Sequence, residues 1–459
     1  MTNKNSKGIA EVRRGTGITP PPESSDAKVL NRLLKNKRIS KSKRETVKRH
    51  RRMVCKTYEL KIDKSHVSKE TCETLRRLFL EAKWFYNDLL ERSRHGEQGI
   101  FDADYKRREV LVRNKDGLFE TRELKYLSSQ MRQEIIQRTK RSIYGLSKLK
   151  KKGHKVGALK FKSRIESIPL RQYGVTYDII GGKVRIQNIK QRLRVRGLGQ
   201  IPPAEVASAT LEQRSGDYFV HVTTYQKKVN KFPRKSLGID AGIKNQLTLS
   251  NGLVVKEGVP VTRKIRHLHR ELSKRKKYGK NWLWTQLKLN LEYDKIANQR
   301  ADIRHKIASR LTSMYDAIAV QDDNIRGWQR MWGRKVTVSA IGGIMSDLRT
   351  KAHTPVEVKR FVATTARCCR CGARQEVGLE ERIYECHSCG FHIDRDLNAA
   401  INVWRMVPAE RRELTPVDTK TATELMEYFN SIPRVSASLV EEAGSQLPAR
   451  EAPELIRGR

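Results

Sequence analysis

Ser236-Leu237-Gly238-Ile239-Asp240-Ala241-Gly242-Ile243-Lys244-Asn245 is the stretch from which the rest of the chain is read. Leu237 and Ile239 alternate as in a half-buried strand. The strand ends on a carboxylate, Asp240, and Gly242 lets the backbone turn at once. Leu247-Thr248-Leu249 and Leu253-Val254-Val255 then read as two strands joined at the Asn251-Gly252 turn. An acid so placed is a turn former in many proteins. It is a metal ligand in others, and this stretch alone leaves both readings open.

Two later segments add acids at strand and helix ends. Asp316-Ala317-Ile318-Ala319-Val320-Gln321-Asp322-Asp323-Asn324-Ile325 is an apolar strand that ends in polar residues. His392-Ile393-Asp394-Arg395-Asp396-Leu397-Asn398-Ala399-Ala400 sets an acid pair at the start of an Ala-rich helix. Between them stand Cys368-Cys369-Arg370-Cys371-Gly372 and Cys386-His387-Ser388-Cys389-Gly390. This matches a two-knuckle zinc ribbon to within a residue of its usual spacing. The ligands are Cys368, Cys371, Cys386 and Cys389. Cys369 falls out of register. Four ligands leave no open position, so this Zn²⁺ is structural.

In this order the segments resemble the split RuvC-like (RNase H-like) nuclease of the TnpB family, transposon-encoded relatives of compact type V CRISPR effectors. The resemblance spans residues 56 to 405. It implies a multidomain α/β protein, with a zinc ribbon inserted in the nuclease domain, a β-barrel wedge domain and a small helical recognition lobe. The expected division is a basic arm at 1–55, the wedge at 56–63 and 150–235, and the recognition lobe at 64–149. The nuclease domain covers 236–365 with a helical insertion at 262–313. The ribbon follows at 366–392, a nuclease C-terminal helix at 393–406 and an irregular, proline-punctuated tail at 407–459.

The resemblance also implies an RNA-guided DNA endonuclease working through two Mg²⁺ ions, about 3.5–4 Å apart, on clustered carboxylates. Asp240 and Asp396 are the outer acids and Mg²⁺ ligands; Asp394 is a helix N-terminal residue favoured by the dipole. The middle position departs from the family. Gln321 stands where a Glu is usual, and an amide is a poor metal ligand. Strand periodicity puts Asp323 on the face of Gln321, about 6.6 Å further along, as a displaced acid. Glu357, on the strand before the ribbon, is the second candidate. The alternative function is therefore a nuclease-deficient RNA-guided DNA-binding repressor. A strand-transfer transposase is a third reading, since integrases share the fold.

Composition agrees with a polyanion partner. The net charge is +45, with 95 Lys and Arg against 50 Asp and Glu, so binding is expected to be steeply salt-dependent. No apolar run approaches the roughly 20 residues of a membrane span. The seven cysteines suit a metal in a reducing cytoplasm rather than disulfides, and the resemblance implies a prokaryotic protein associated with the nucleoid through DNA binding. The expected partners are a guide RNA and double-stranded target DNA, with one monomer on one RNA.

The basic loop Lys148 to Ser163 suits a phosphate backbone. It resembles the family's G-x-P-x-F-K element, with Ala158 at the proline position. Its nucleic-acid-binding candidates are Lys150, Lys151, Lys152, Lys155, Lys160 and Lys162. Arg270, Lys274, Arg275 and Lys276 give the helical insertion a second basic surface. Helices are expected at 68–92, on a face of Leu75, Leu78, Phe79, Ala82, Tyr86 and Leu89, and at 129–149. The stretch between these helices reads as irregular. Strands are expected near 56–63, 183–186, 193–196 and 218–225.

Overall fold

Two sheets, each with its own apolar core, organise the chain. The computed structural model describes residues 53–440, apart from 96–98, 115–116, 203–204, 228–234, 334–335, 337, 379 and 413–418. Nearly all of the expected basic arm therefore lies outside the described residues.

The first sheet opens with β1 (Met53–Ile62), three residues earlier than its sequence pattern suggests. Helix α1 (Lys69–Arg94) starts at Ser68, whose hydroxyl accepts the Thr71 N–H at 3.1 Å. Its face of Leu75, Leu78, Phe79, Ala82, Phe85, Tyr86 and Leu89 is buried. Each of the larger side chains contributes about 1.5–3 kcal/mol by leaving water. The stretch after α1, expected to be irregular, instead contains a hairpin, β2 (Glu109–Arg113) and β3 (Phe119–Glu123). Two buried acids of α1 hold the neighbouring chain. Glu81 accepts the N–H groups of Lys125, Tyr126 and Leu127 at 2.8–2.9 Å. Asp88 pairs with Arg92 and Arg107 and accepts the Leu111 N–H. Helix α2 (Ser129–Lys151) follows.

The sheet is completed by β4 (Ser167–Leu170), β5 (Tyr177–Ile180), β6 (Lys183–Ile186), β7 (Leu193–Arg196), β8 (Glu205–Arg214) and β9 (Asp217–Lys227). Strand order is β4-β8-β9-β1-β7-β6-β5 and every pairing is antiparallel. Among the described residues β4 and β5 do not pair with each other, so the hydrogen-bonded order is that of an open sheet.

The second sheet begins with the opening stretch of the sequence analysis. It contains β10 (Ser236–Ala241), β11 (Leu247–Leu249) and β12 (Leu253–Glu257). Helices α3 (Arg263–Lys274) and α4 (Lys280–Met314) form the expected long hairpin. Then come β13 (Ala317–Gln321), α5 (Ile325–Trp332), α6 (Ile341–Lys351) and β14 (Thr354–Val358). A two-stranded ribbon, β15 (Ile383–Glu385) with β16 (His392–Asp394), leads into α7 (Arg395–Trp404).

The tail is not irregular throughout. Helix α8 (Thr419–Asn430) and strand β17 (Val435–Leu439) fold back, and β17 pairs with β12 as the edge of the sheet. The alternation of Val435 and Ala437, both buried, is a strand signal that the neighbouring prolines obscure. Strand order is β14-β13-β10-β11-β12-β17, with β10, β13 and β14 mutually parallel.

The two faces of this sheet differ. Leu237, Ile239, Ile318 and Val320 point into a core with Ile303, Ile307 and Leu311 of α4 and Ile344 and Leu348 of α6. Gly238 and Ala319 point to the other face, under α7. There a Cβ on residue 238 would lie 2.3 Å from both the Ala400 oxygen and the Trp404 nitrogen. Only glycine lets α7 approach this closely.

Candidate functional site

Strands β10 and β13 run parallel with Ile239 opposite Val320. Asp240 and Gln321 are the next residues, so both project to the α7 face of the sheet. Gly242 makes the turn after Asp240, where a Cβ would meet the Asn245 oxygen at 2.6 Å. The turn returns Asn245 toward α7, and its Nδ2 donates to Asp396 Oδ2 at 3.1 Å.

At the start of α7, Asp394 is the N-cap, its Oδ1 accepting the Leu397 N–H at 2.9 Å. This is the terminal role expected for it. Asp396 is left for the site. Besides Asn245, it faces Arg395 at 3.4 Å and Arg382, from the ribbon, at 4.0 Å.

Asp240 shows the electrostatic signature of clustered acids. Its carboxyl is pushed well above the usual carboxylate range by burial first, then by Asp396 and Asp323, with Arg395 opposing. The side chain keeps partial exposure. Burial also raises the Asp323 carboxyl, against the pull of Arg349.

Asp323 reaches this position by another route than the one expected. Strand β13 stops at Gln321, so Asp323 does not share a strand face with it. The chain turns instead. The Asp322 N–H donates to the Val358 oxygen at 2.9 Å, and Asn324 caps α5 through the Gly327 N–H at 3.1 Å. Asp322 is drawn aside by Arg360 at 3.6 Å and Arg349 at 3.9 Å.

Glu357 does not join the acids. It pairs in register with Val320, on the opposite face from Gln321 and Asp240. Its carboxylate is 61% exposed and ion-paired to Arg349 at 3.3 Å.

Gln321 is buried and fully engaged. Its Nε2 donates to the carbonyl oxygens of Arg360 and Val362, each at 3.1 Å. Its Oε1 accepts the Thr364 hydroxyl at 2.9 Å. The amide thus pins the segment that leads into the cysteines.

Asn398 and Asn402 continue this tie. The Asn398 Oδ1 accepts the Cys369 N–H at 2.8 Å, while its Nδ2 donates to the Arg367 oxygen at 2.8 Å. Asn402 donates to the Thr364 and Arg367 oxygens at 2.8 and 2.6 Å. The roles of Asn398 and Asn402 leave no trace in residue type alone, because a buried amide binds whatever backbone passes it; that of Asn245 depends on the turn that brings it to Asp396.

The sulfurs of Cys368, Cys371, Cys386 and Cys389 all lie within 4.8 Å of one another. Two of the separations are 3.9 and 3.5 Å. A tetrahedral Zn²⁺ with bonds of about 2.3 Å needs sulfurs about 3.8 Å apart, so the four thiols fit the ion. The Arg370 N–H donates to Cys368 Sγ at 3.3 Å, the knuckle contact that the spacing implies. Cys369 packs in the small core behind the ribbon. The oxygen donors of Asp240, Asp323 and Asp396 suit a hard cation instead. Among the described residues, no set of acids is drawn as tightly together as the thiols.

The basic candidates lie at the surface. Lys150 and Lys151 end α2, and Lys152, Lys155, Lys160 and Lys162 follow it, all exposed. Arg270, Lys274 and Lys276 are exposed on and after α3. Arg275 is half-buried, donating to the Asn281 oxygen at 2.9 Å.

Two family profiles match the segments that carry these features. A "Probable transposase" profile (OrfB_IS605) covers residues 218–331, and a "Cas12f1-like, TNB domain" profile covers 348–403. A Streptomyces pristinaespiralis protein named "Putative RNA-guided DNA endonuclease" is 25% identical over 355 residues, covering 73% of this chain and 85% of its own. The Escherichia coli K12 protein "Putative RNA-guided DNA endonuclease InsQ" is 24% identical over 276 residues, covering 53% and 67%. The structure of a Cas12f1–sgRNA–target DNA complex aligns with a TM-score of 0.45 at 14% identity, over 78% of this chain and 99% of that one. The first profile takes in Asp240 and Asp323, the second the cysteines and Asp396, and this pairing, with the RNA-guided endonuclease and TnpB-like relatives, supports the resemblance read from the motifs, that of a TnpB family member.

Proposed function

We propose that this protein is an RNA-guided DNA endonuclease whose nuclease site is formed by Asp240, Asp323 and Asp396. The observation that supports the reading is that Asp396 and Asp323 are acidic neighbours that raise the buried Asp240 carboxyl, and in this reading Asp323 stands in for the family's usual Glu. The names of the two bacterial relatives point to the same activity. The +45 charge supplies the affinity for RNA and DNA. In this reading the guide RNA selects sequence by base pairing, and the protein reads a short flanking motif and the heteroduplex shape.

The second sheet with α7 is read as the split RuvC-like domain. The first sheet is read as the wedge, and α1, α2 and the β2–β3 hairpin as the recognition lobe. One monomer on one RNA is the assembly proposed. The three carboxylates would hold Mg²⁺, which when bound supplies an activated water and neutralises the leaving oxygen. Asn245 orients Asp396 by its hydrogen bond. Arg395 and Arg382 limit the charge that Asp396 presents. Gln321 holds the segment between β14 and the ribbon.

The test is plasmid cleavage. Protein co-expressed with its flanking DNA is purified with bound RNA and offered a matched target beside a randomised flank. Mg²⁺-dependent linearisation, lost in Asp240→Ala with binding retained, is the expected result. Guide-dependent binding without a cut would identify the chain as a nuclease-deficient repressor. Joining of transposon ends would identify a transposase.

A further inference from the structure

The tip of the α3–α4 hairpin carries a surface that the acid cluster and the ribbon do not use. The base of the hairpin is anchored by Ile265, Leu268, Leu289 and Ile296, all buried in the core of the second sheet. Beyond them the apolar residues turn outward. Tyr278 is 70% exposed, Trp284 57% and Leu283 53%. Tyr278 also has a φ of +66°, the left-handed region that a bulky side chain rarely adopts. Strain of this kind concentrates at working surfaces. Here it sets the ring out at the turn, 5.4 Å from the Trp282 ring.

The same tip is densely cationic. Lys274, Arg275, Lys276, Lys277 and Lys280 fall within seven residues of chain. The Lys277 ammonium lies 5.2 Å from the Tyr278 ring centre, and that of Lys288 lies 5.6 Å from the Trp284 ring. Trp284 and Lys288 are four residues apart and share one helix face. Exposed rings interleaved with ammonium groups complement a polyanion whose units carry flat π-faces.

We propose that this tip binds unpaired nucleotides, with Tyr278 and Trp284 stacking on bases and Lys276, Lys277 and Lys288 tracking the phosphates. Base stacking is sequence-tolerant and needs an unpaired strand, because duplex bases hide their faces. The inference rests on the reading of the chain as a nucleic-acid-binding protein, but not on cleavage.

The experiment measures binding of full-length protein, washed free of RNA and without Mg²⁺, to labelled oligo(dT), oligo(U) and a duplex across a salt series. Trp284→Ala and Tyr278→Ala are expected to weaken single-strand binding roughly 5- to 150-fold each, with the salt slope unchanged. Trp284→Phe should recover most of that loss. Lys276→Ala with Lys277→Ala should instead flatten the slope by about 0.7 per lysine. A larger loss on oligo(U) assigns unpaired RNA as the occupant; a larger loss on oligo(dT) assigns an unpaired DNA strand. Ring variants that melt like wild type and bind both strands like wild type would overturn the proposal. So would equal losses on duplex, or a wild-type dimer that these variants dissociate. Wild-type protein that binds no probe would overturn the nucleic-acid reading itself.

Discussion

Thr364 donates its hydroxyl to Gln321 Oε1 at 2.9 Å, across 43 residues of chain. With both Nε2 bonds made to carbonyl oxygens, the side chain has the donors and acceptor its site requires. Gln321→Glu would aim a carboxylate at the Arg360 and Val362 carbonyls. The expected cost is about 1–3 kcal/mol for each buried group left unpaired, read as an earlier denaturant midpoint. Cleavage should not rise. A gain in cutting would show that the new carboxylate swings toward Asp240, and the role of Gln321 as a tie would fall.

Asp323 and Asp322 are neighbours with different surroundings. Asp323 is among the charges that raise the Asp240 carboxyl, whereas Asp322 is occupied by Arg360 and Arg349. Even outer partners of a metal site cost 10–100-fold when removed, so Asp323→Asn should lower the cleavage rate by more than about 100-fold. Asp322→Asn should cost less than about 10-fold. Single-turnover cleavage of one matched target compares them directly.

The acid cluster also sets a pH dependence. Folding favours the protonated form of Asp240, since burial, Asp396 and Asp323 all raise its carboxyl. A raised acid stabilises the fold below its unfolded value, and that contribution is lost as pH rises through the folded one. Without divalent ions, Asp240→Asn should therefore melt above wild type at neutral pH, with the gap closing toward pH ~4. Mg²⁺ should stabilise wild type by about 2.7 kcal/mol at a hundred times its Kd. It should leave Asp240→Asn much less changed. Equal Mg²⁺ shifts in the two proteins would place the ion elsewhere.

The ribbon and α7 are one mechanical unit. Asn398 is fully buried and bonded to the Cys369 N–H and the Arg367 oxygen. Cys386→Ser should lower zinc content and melting temperature together. Asn398→Ala should keep zinc yet destabilise the protein by about 2 kcal/mol or more, from two or more groups left unpaired. Metal analysis beside thermal melts separates the two variants. Unchanged zinc and stability in Cys386→Ser would remove the cysteine assignment.

Much of this arrangement was legible in the residues. The alternation of Leu237 and Ile239, the Asn251-Gly252 turn and the paired cysteines each carry a local rule, and local rules survive folding. The β2–β3 hairpin and β17 were not legible. The β2–β3 hairpin pairs locally, but its short strands are interrupted by charged residues that blur the alternation; strand β17 is decided by a partner far away in sequence, β12. The same holds at the middle acid. Strand periodicity pointed to Asp323, but the strand ends two residues early, and a turn capped by Asn324 brings the side chain round instead. Glu357 looked available in sequence, and only the parallel register with Val320 puts it on the wrong face.

Gly238 offers a test of how the outer acids come together. Trp404 Nε1 donates to Ser236 Oγ at 2.8 Å, so the end of α7 is fixed to the start of β10. Above Gly238 the helix backbone lies so close that an added methyl would sit 2.3 Å from the Ala400 oxygen and 2.6 Å from the Trp404 Cβ. Backbone on both sides cannot move as a flexible side chain could. Gly238→Ala must lift α7 from the sheet, at the upper end of the roughly 1–3 kcal/mol that overpacking costs. Lifting α7 also carries Asp396 away from Asp240, two residues along the same strand face. Cleavage should then fall further than the loss of folded protein accounts for, while zinc content stays whole. A variant that cuts in proportion to its folded fraction would mean that the acids do not depend on this contact.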